Sequence, residues 1–181
     1  MSATRIFTIG HSTHELEQFI AILRAHGIKQ LVDIRTIPRS RHNPQFNGED
    51  LAQALPNSEI SYQRLKELGG LRPTHQDSIN TGWHNESFRG YADYMQTQPF
   101  LEGIVRLISL GESNDLAIMC AEVLPWRCHR SLIGDALLIR GIEVFDIFSA
   151  TKISAHTLTS FALVDGLNIS YPPEPKAPNT S

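Results

Sequence analysis

Leu116-Ala117-Ile118-Met119-Cys120-Ala121-Glu122-Val123-Leu124-Pro125-Trp126-Arg127-Cys128-His129-Arg130 is the segment that decides the fold. Its apolar start reads as a short buried strand, and Ser131 to Arg140 continues it as a helix-like run. The loop between them holds two cysteines, a histidine, a glutamate and two arginines. Such residues build a core poorly and a site well. In open parallel sheets, ligands sit beyond the carboxyl ends of strands, where loops of this kind emerge.

The same alternation extends in both directions. Ile6-Phe7-Thr8-Ile9 reads as a strand ending at Gly10-His11-Ser12. Ser12 and Glu15 have the spacing of a capping box, Leu16, Phe19, Ile20 and Leu23 recur at helical spacing, and Gly27 is a natural stop. Ile28 to Ile34 gives a second strand, expected to pair in parallel with the first through a right-handed crossover. Residues 36–47 are irregular, short helices are expected over 48–55 and 64–68, and 71–85 reads as loop. Phe88 to Met95 and the run from Pro99 to Gly111 read as helices, and Ile142 to Phe148 as the last clear strand. The expected fold is α/β: an open, mainly parallel sheet flanked by helices, forming a single domain over 1–165. Residues 166–181, rich in proline toward the end, are expected to be a mobile tail.

The 181-residue chain suits one domain with a full core. Its net charge of −3 gives no global pull toward DNA or anionic membranes. No apolar run approaches the roughly 20 residues that span a bilayer, and the N-terminus lacks the apolar centre of a signal peptide. A cytoplasmic protein with two free thiols is therefore expected, with no membrane contact.

Three predicted strands end in site-like residues: His11 and Ser12, Asp33 and Arg35, Cys120 and Glu122. If the strands are parallel, all six reach one edge and crowd one crevice, subject to strand register. Asp33 and Arg35 are read either as ligand-binding or as an internal ion pair. In the following loop, Arg41 reads as a ligand contact and Arg39 as solvated. Helix N-termini near Ser12 and Cys128 favour a bound anion. Tyr62 and Trp83, in irregular stretches, could stack on a base or sugar, whereas Phe88 and Tyr94 read as packing; Leu68-Gly69-Gly70 suggests a close backbone approach.

Cys120 has two readings: a nucleophile with lowered pKa, or a small buried hydrophobe. Glu122 and His129 are candidate acid/base groups, and Cys128 and Arg130 candidate ligand contacts, Glu122 also serving as a partner for Arg130. The Cys120 and Cys128 spacing does not match a zinc knuckle, so no metal is assigned. Phosphate-loop and dinucleotide fingerprints are absent, and no cofactor is assigned.

Together, Thr8-Ile9-Gly10-His11-Ser12, Val32-Asp33-Ile34-Arg35, Ser40-Arg41, Phe46, Leu68-Gly69-Gly70 and Cys120-Ala121-Glu122 with Cys128-His129-Arg130 resemble the bacterial family known as domain of unknown function 488. The resemblance runs from about Ile6 to Ala162 and implies a compact α/β domain with these polar residues as its site. A second, weaker likeness is to rhodanese-type sulfurtransferases and the related cysteine phosphatases, in the order of an Asp-x-Arg strand end before a cysteine strand end. The long cysteine loop with Glu122 and Pro125 departs from that pattern, and the likeness is held as analogy.

Two functions stay open. One is a cysteine-dependent transferase or hydrolase acting on a small anionic or nucleotide-like substrate (phosphate, carboxylate or nucleotide), with Cys120 as nucleophile and Arg35, Arg41 and Arg130 as anion clamp. The other is a non-catalytic module binding a nucleotide or nucleic acid through the arginine-rich crevice; nucleic acid is the lesser expectation. No pattern sets an oligomeric state.

Overall fold

The computed structural model describes residues 3–175. Six strands form one sheet in the order β3-β2-β4-β1-β5-β6. These are β1 (Arg5–Gly10), β2 (Gln30–Asp33), β3 (Ser61–Arg64), β4 (Leu116–Cys120), β5 (Glu143–Ile147) and β6 (Ile153–Ala155). All pairings are parallel except β5 with β6. A hairpin of β7 (Leu163–Asp165) and β8 (Asn168–Ser170) stands apart. The helices are α1 (Leu16–Ala25), α2 (Gly48–Ala54), α3 (Glu86–Tyr94), α4 (Gln98–Ser113) and α5 (Arg130–Leu138).

The central strands are buried along their length because helices cover both faces. Side-chain alternation sorts the strands between two cores. Ile6, Val32, Leu116 and Ile118 point toward α3, α4 and α5. Phe7, Ile9, Leu31, Ala117 and Met119 point toward α1 and α2. On α1 the stripe Phe19, Ile22 and Leu23 meets the second group, and on α4 Phe100, Ile104 and Leu107 meet the first.

Four expectations change. First, β1 and β2 are parallel but not neighbours, because β4 inserts between them. The chain leaves β1 through α1 on one face and leaves β4 through α5 on the other, so the topological switch lies between β1 and β4. Second, α1 begins at Leu16, and its cap residue, Glu15, makes no side-chain cap bond. Ser12 is instead left-handed (φ 50°), and its amide donates to the Ala121 carbonyl (3.1 Å). Third, residues 61–64 form an edge strand, and the helix expected over 64–68 is a single 3-10 turn, Lys66–Leu68. Fourth, packed chain continues beyond residue 165: Ile169 and Tyr171 are buried. The last part of the expected tail, residues 176–181, lies outside the described residues.

Candidate functional site

Parallel strands do deliver His11, Asp33 and Cys120 to one edge of the sheet, since Gly10 pairs with Cys120 and Asp33 with Met119. Alternation then separates them. Cys120 follows Ile118 onto the α5 side, whereas Asp33 follows Leu31 onto the α1 side. The single crevice expected for all six residues is therefore two clusters, with Asp33 and Cys120 on opposite faces and Arg35 reaching both.

The first cluster centres on Asp33, which is fully buried. Arg35 clamps it with two hydrogen bonds, Nε to Oδ1 (2.9 Å) and Nη2 to Oδ2 (2.6 Å), and also donates to the Phe46 carbonyl (2.7 Å). Tyr62 on β3 donates its hydroxyl to Asp33 Oδ2 (2.6 Å). Burial, then the bond to Asp33, raises the Tyr62 pKa. His11 stacks on Phe46 with ring centroids 4.4 Å apart. Its Nδ1 meets the Ser12 carbonyl (2.8 Å), which can only accept, so Nε2 is the acceptor facing Arg35 Nη1 (3.4 Å). Burial lowers the His11 pKa, and the Arg35 charge acts in the same direction against the Ser12 bond. This is the internal ion pair, with Tyr62 as a hydrogen-bond partner rather than a base-stacking ring.

The second cluster surrounds a cavity of about 360 Å³ at the carboxyl edge. Arg35, Cys120, Glu122, Cys128 and His129 line it, as do Arg39, Arg127, Ile37, Leu71 and Phe88. His11, Ser12, Asp33, Arg41, Tyr62 and Arg130 do not. The two loop arginines thus exchange roles: Arg39 reaches the cavity, and Arg41 is exposed away from it. Phe88, expected as packing, is also a wall.

Cys120 and Cys128 are both free and buried, with Sγ atoms 2.9 Å apart. Burial pushes the Cys120 thiol well above the ordinary range, and its bond with Cys128 adds to this. Cys128 moves the other way. The bond with Cys120 lowers its pKa and, against the effect of burial, so do His129 and Arg130. The Arg130 amide, at the start of α5, also donates to Cys128 Sγ (3.4 Å). The lowering of thiol pKa expected at Cys120 thus falls on Cys128 instead.

His129 lies beside Cys128. Its Nε2 meets the Ile34 carbonyl (3.0 Å), so Nε2 carries a hydrogen and Nδ1 faces Cys128 Sγ at 3.5 Å. Gly70 packs against this ring; a Cβ there would lie 2.7 Å from His129 Nδ1. Glu122 contributes through its backbone: its carbonyl accepts from Cys120 Sγ (3.4 Å) and Arg130 Nη2 (2.7 Å). Its carboxylate accepts from the Leu124 amide (3.3 Å). Among the described residues no group of three or more His, Cys, Asp or Glu side chains is arranged to hold a metal.

The family described as Domain of unknown function DUF488 matches residues 15–137, more than half of the chain. The chain belongs to this family. No curated protein and no solved structure matches it. The DUF488 span includes both cysteines and Arg130 but ends before Asp146, His156 and Tyr171. Those residues complete a buried polar chain that begins in the matched part. Arg130, 1% exposed, donates to Thr8 Oγ1 (3.0 Å) and to the carbonyls of Glu122 and Val123. Thr8 donates to Asp146 Oδ1 (2.5 Å). His156 sits between Asp146 (3.7 Å) and Asp135 (2.9 Å), and Tyr171 donates to Asp135 Oδ2 (2.7 Å). Burial opposes the His156 charge, but the bonds to Asp135 and Asp146 outweigh it and raise its pKa to about 9. Arg130, expected to clamp an anion in this DUF488 protein, instead holds the cysteine loop to β1.

Proposed function

We propose that this protein is a cysteine-dependent enzyme, of transferase or hydrolase type, acting on a small substrate with an anionic group. Cys128 is the nucleophile and His129 its base. The observation that carries this reading is that Cys128 and His129 both line the cavity, with Cys128 Sγ 3.5 Å from His129 Nδ1. His129 Nδ1 takes the thiol proton, the sulfur attacks the electrophilic centre, and His129 returns the proton to the leaving group. Arg35 and Arg130 are engaged with Asp33, Thr8 and backbone carbonyls. The anionic group is therefore assigned to exposed Arg127 on the cavity wall and to Arg39 beside it, whose solvent-exposed contact with Glu49 (3.5 Å) an anion can displace. No helix among the described residues is long and apolar enough to cross a membrane. Two reduced thiols in contact suit a reducing compartment, and the cytoplasm is the proposed location.

Iodoacetamide labelling across pH, read by peptide mass spectrometry, tests the assignment. Cys128 is expected to react before Cys120, at a rate already high at neutral pH and reduced in His129→Gln. Labelling of Cys120 first, or of either thiol only at alkaline pH, overturns it.

A further inference from the structure

We infer that Cys120 is a resolving thiol, so that the Cys120–Cys128 pair cycles between dithiol and disulfide on a small, negatively charged sulfur electrophile. This rests on the reading of Cys128 as nucleophile with His129 as its base, and at that site it replaces hydrolysis or acyl and phosphoryl transfer with thiol–disulfide exchange. The geometry carries it. The sulfurs are 2.9 Å apart, so bond formation requires an approach of only roughly 1 Å. Cys120 and Cys128 both line the cavity, whose walls include Ile37, Leu71 and Phe88 and whose charged residues are Arg35, Arg39 and Arg127 against one carboxylate, Glu122. Such a space fits an organic group with a negative charge rather than a peroxide alone.

A second thiol in contact with the nucleophile also selects the chemistry. If Cys128 carried an acyl or phosphoryl group, attack by Cys120 would only move that group between sulfurs. If Cys128 carries a thiol in disulfide linkage, attack by Cys120 on Cys128 Sγ releases that thiol and completes a turnover. The steps balance. The Cys128 thiolate attacks one sulfur of a small disulfide, and the first thiolate leaves with the proton from His129. Cys120 loses its proton and attacks Cys128 Sγ, and the second substrate sulfur leaves and takes up that proton. One disulfide is reduced to two thiols while Cys120 and Cys128 are oxidised to a bridge. Two equivalents of a small external thiol then reduce the bridge, the first forming a mixed disulfide on Cys128 and the second releasing it as the external disulfide, and both protein thiols are protonated again.

The test uses the full, reduced chain with three oxidants: glutathione disulfide (carboxylate-bearing), cystamine (cationic) and hydrogen peroxide, read by intact mass and peptide mapping. Glutathione disulfide is expected to yield the Cys120–Cys128 bridge with no retained glutathione. Cys120→Ser is expected to accumulate glutathione on Cys128, and Cys120→Ala repeats this if serine disturbs packing. Cys128→Ser is expected to take no adduct on Cys120. At low salt the anionic disulfide is expected to react about tenfold faster than cystamine, with the difference shrinking in Arg127→Ala. Wild type that stays reduced, or keeps a stable glutathione adduct, while iodoacetamide still alkylates Cys128 overturns this inference and leaves the proposed nucleophile standing. A bridge formed with peroxide but not with glutathione disulfide overturns the substrate class, and equal rates with cystamine overturn the charge preference. Loss of Cys128 alkylation itself overturns the underlying function.

Discussion

A Cβ at Gly10 would lie 1.8 Å from the Glu122 carbonyl oxygen. That oxygen also receives Arg130 Nη2 and the Cys120 thiol. The end of β1 and the cysteine loop are thus in direct backbone contact, and the position of the thiols depends on a missing side chain. Gly10→Ala is expected to destabilise the fold by about 3 kcal/mol, since the loop must move to admit a methyl group. Urea unfolding measures this, and the Cys128 labelling rate should change in the same variant. A midpoint equal to wild type would show that the loop yields freely.

Arg130→Met removes three donated hydrogen bonds from a buried position, to Thr8, Glu122 and Val123. The expected loss is about 3 kcal/mol in chemical unfolding, because three charge-assisted bonds that tie the cysteine loop to buried Thr8 disappear together. Arg41→Ala provides the contrast. Its side chain is exposed, and the variant should unfold within about 0.5 kcal/mol of wild type. Comparable losses in the two variants would contradict the roles assigned to them.

Tyr62→Phe keeps the ring and deletes the hydroxyl that donates to Asp33. A bond to a buried carboxylate predicts a loss of about 2 kcal/mol. Cys128 labelling should change little, because Asp33 keeps both of its bonds to Arg35, the residue through which this cluster reaches the cavity. A large change in labelling would mean that the two clusters act as one.

His156 sets a pH dependence. Its pKa rises from 6.5 to about 9 on folding, so the native state holds this proton more tightly than the unfolded chain. Its contribution to stability is complete below about pH 6.5 and is lost as pH rises through 9. The thermal midpoint should fall over that window, and His156→Gln should flatten the slope. A wild-type midpoint that is level from pH 6.5 to 9 would rule out the Asp135–His156–Asp146 arrangement.

The order of strands and helices was largely written in local periodicity. Phe19, Ile22 and Leu23 mark α1, and Leu116 to Met119 mark β4, because each needs a particular apolar spacing. β3 left no such mark. Ser61-Tyr62-Gln63-Arg64 is a polar edge strand of four residues, held by pairing with β2. The site was legible as a set of residues but not as two groups. Strands buried on both faces carry no polar–apolar alternation, so nothing in Val32-Asp33 or Met119-Cys120 indicates which side each residue takes. The Asp33–Arg35 pair, two residues apart, was one of two readings open from sequence, whereas Arg130 gave no sign of being engaged because Thr8 is distant in sequence. Cys128 was overshadowed by Cys120, although it stands nearer the first turn of α5.

Asp135 is fully enclosed and is satisfied by His156, the Thr159 amide and Tyr171, all of which follow the family span. Trimming the chain to residues 15–137 would strip that carboxylate of all three supports at once. The shortened fragment would also lack β1, and with it Thr8, the anchor for the Arg130 guanidinium. The segment 15–137 is therefore expected not to fold by itself, whereas a fragment running from β1 through Tyr171 keeps both anchors.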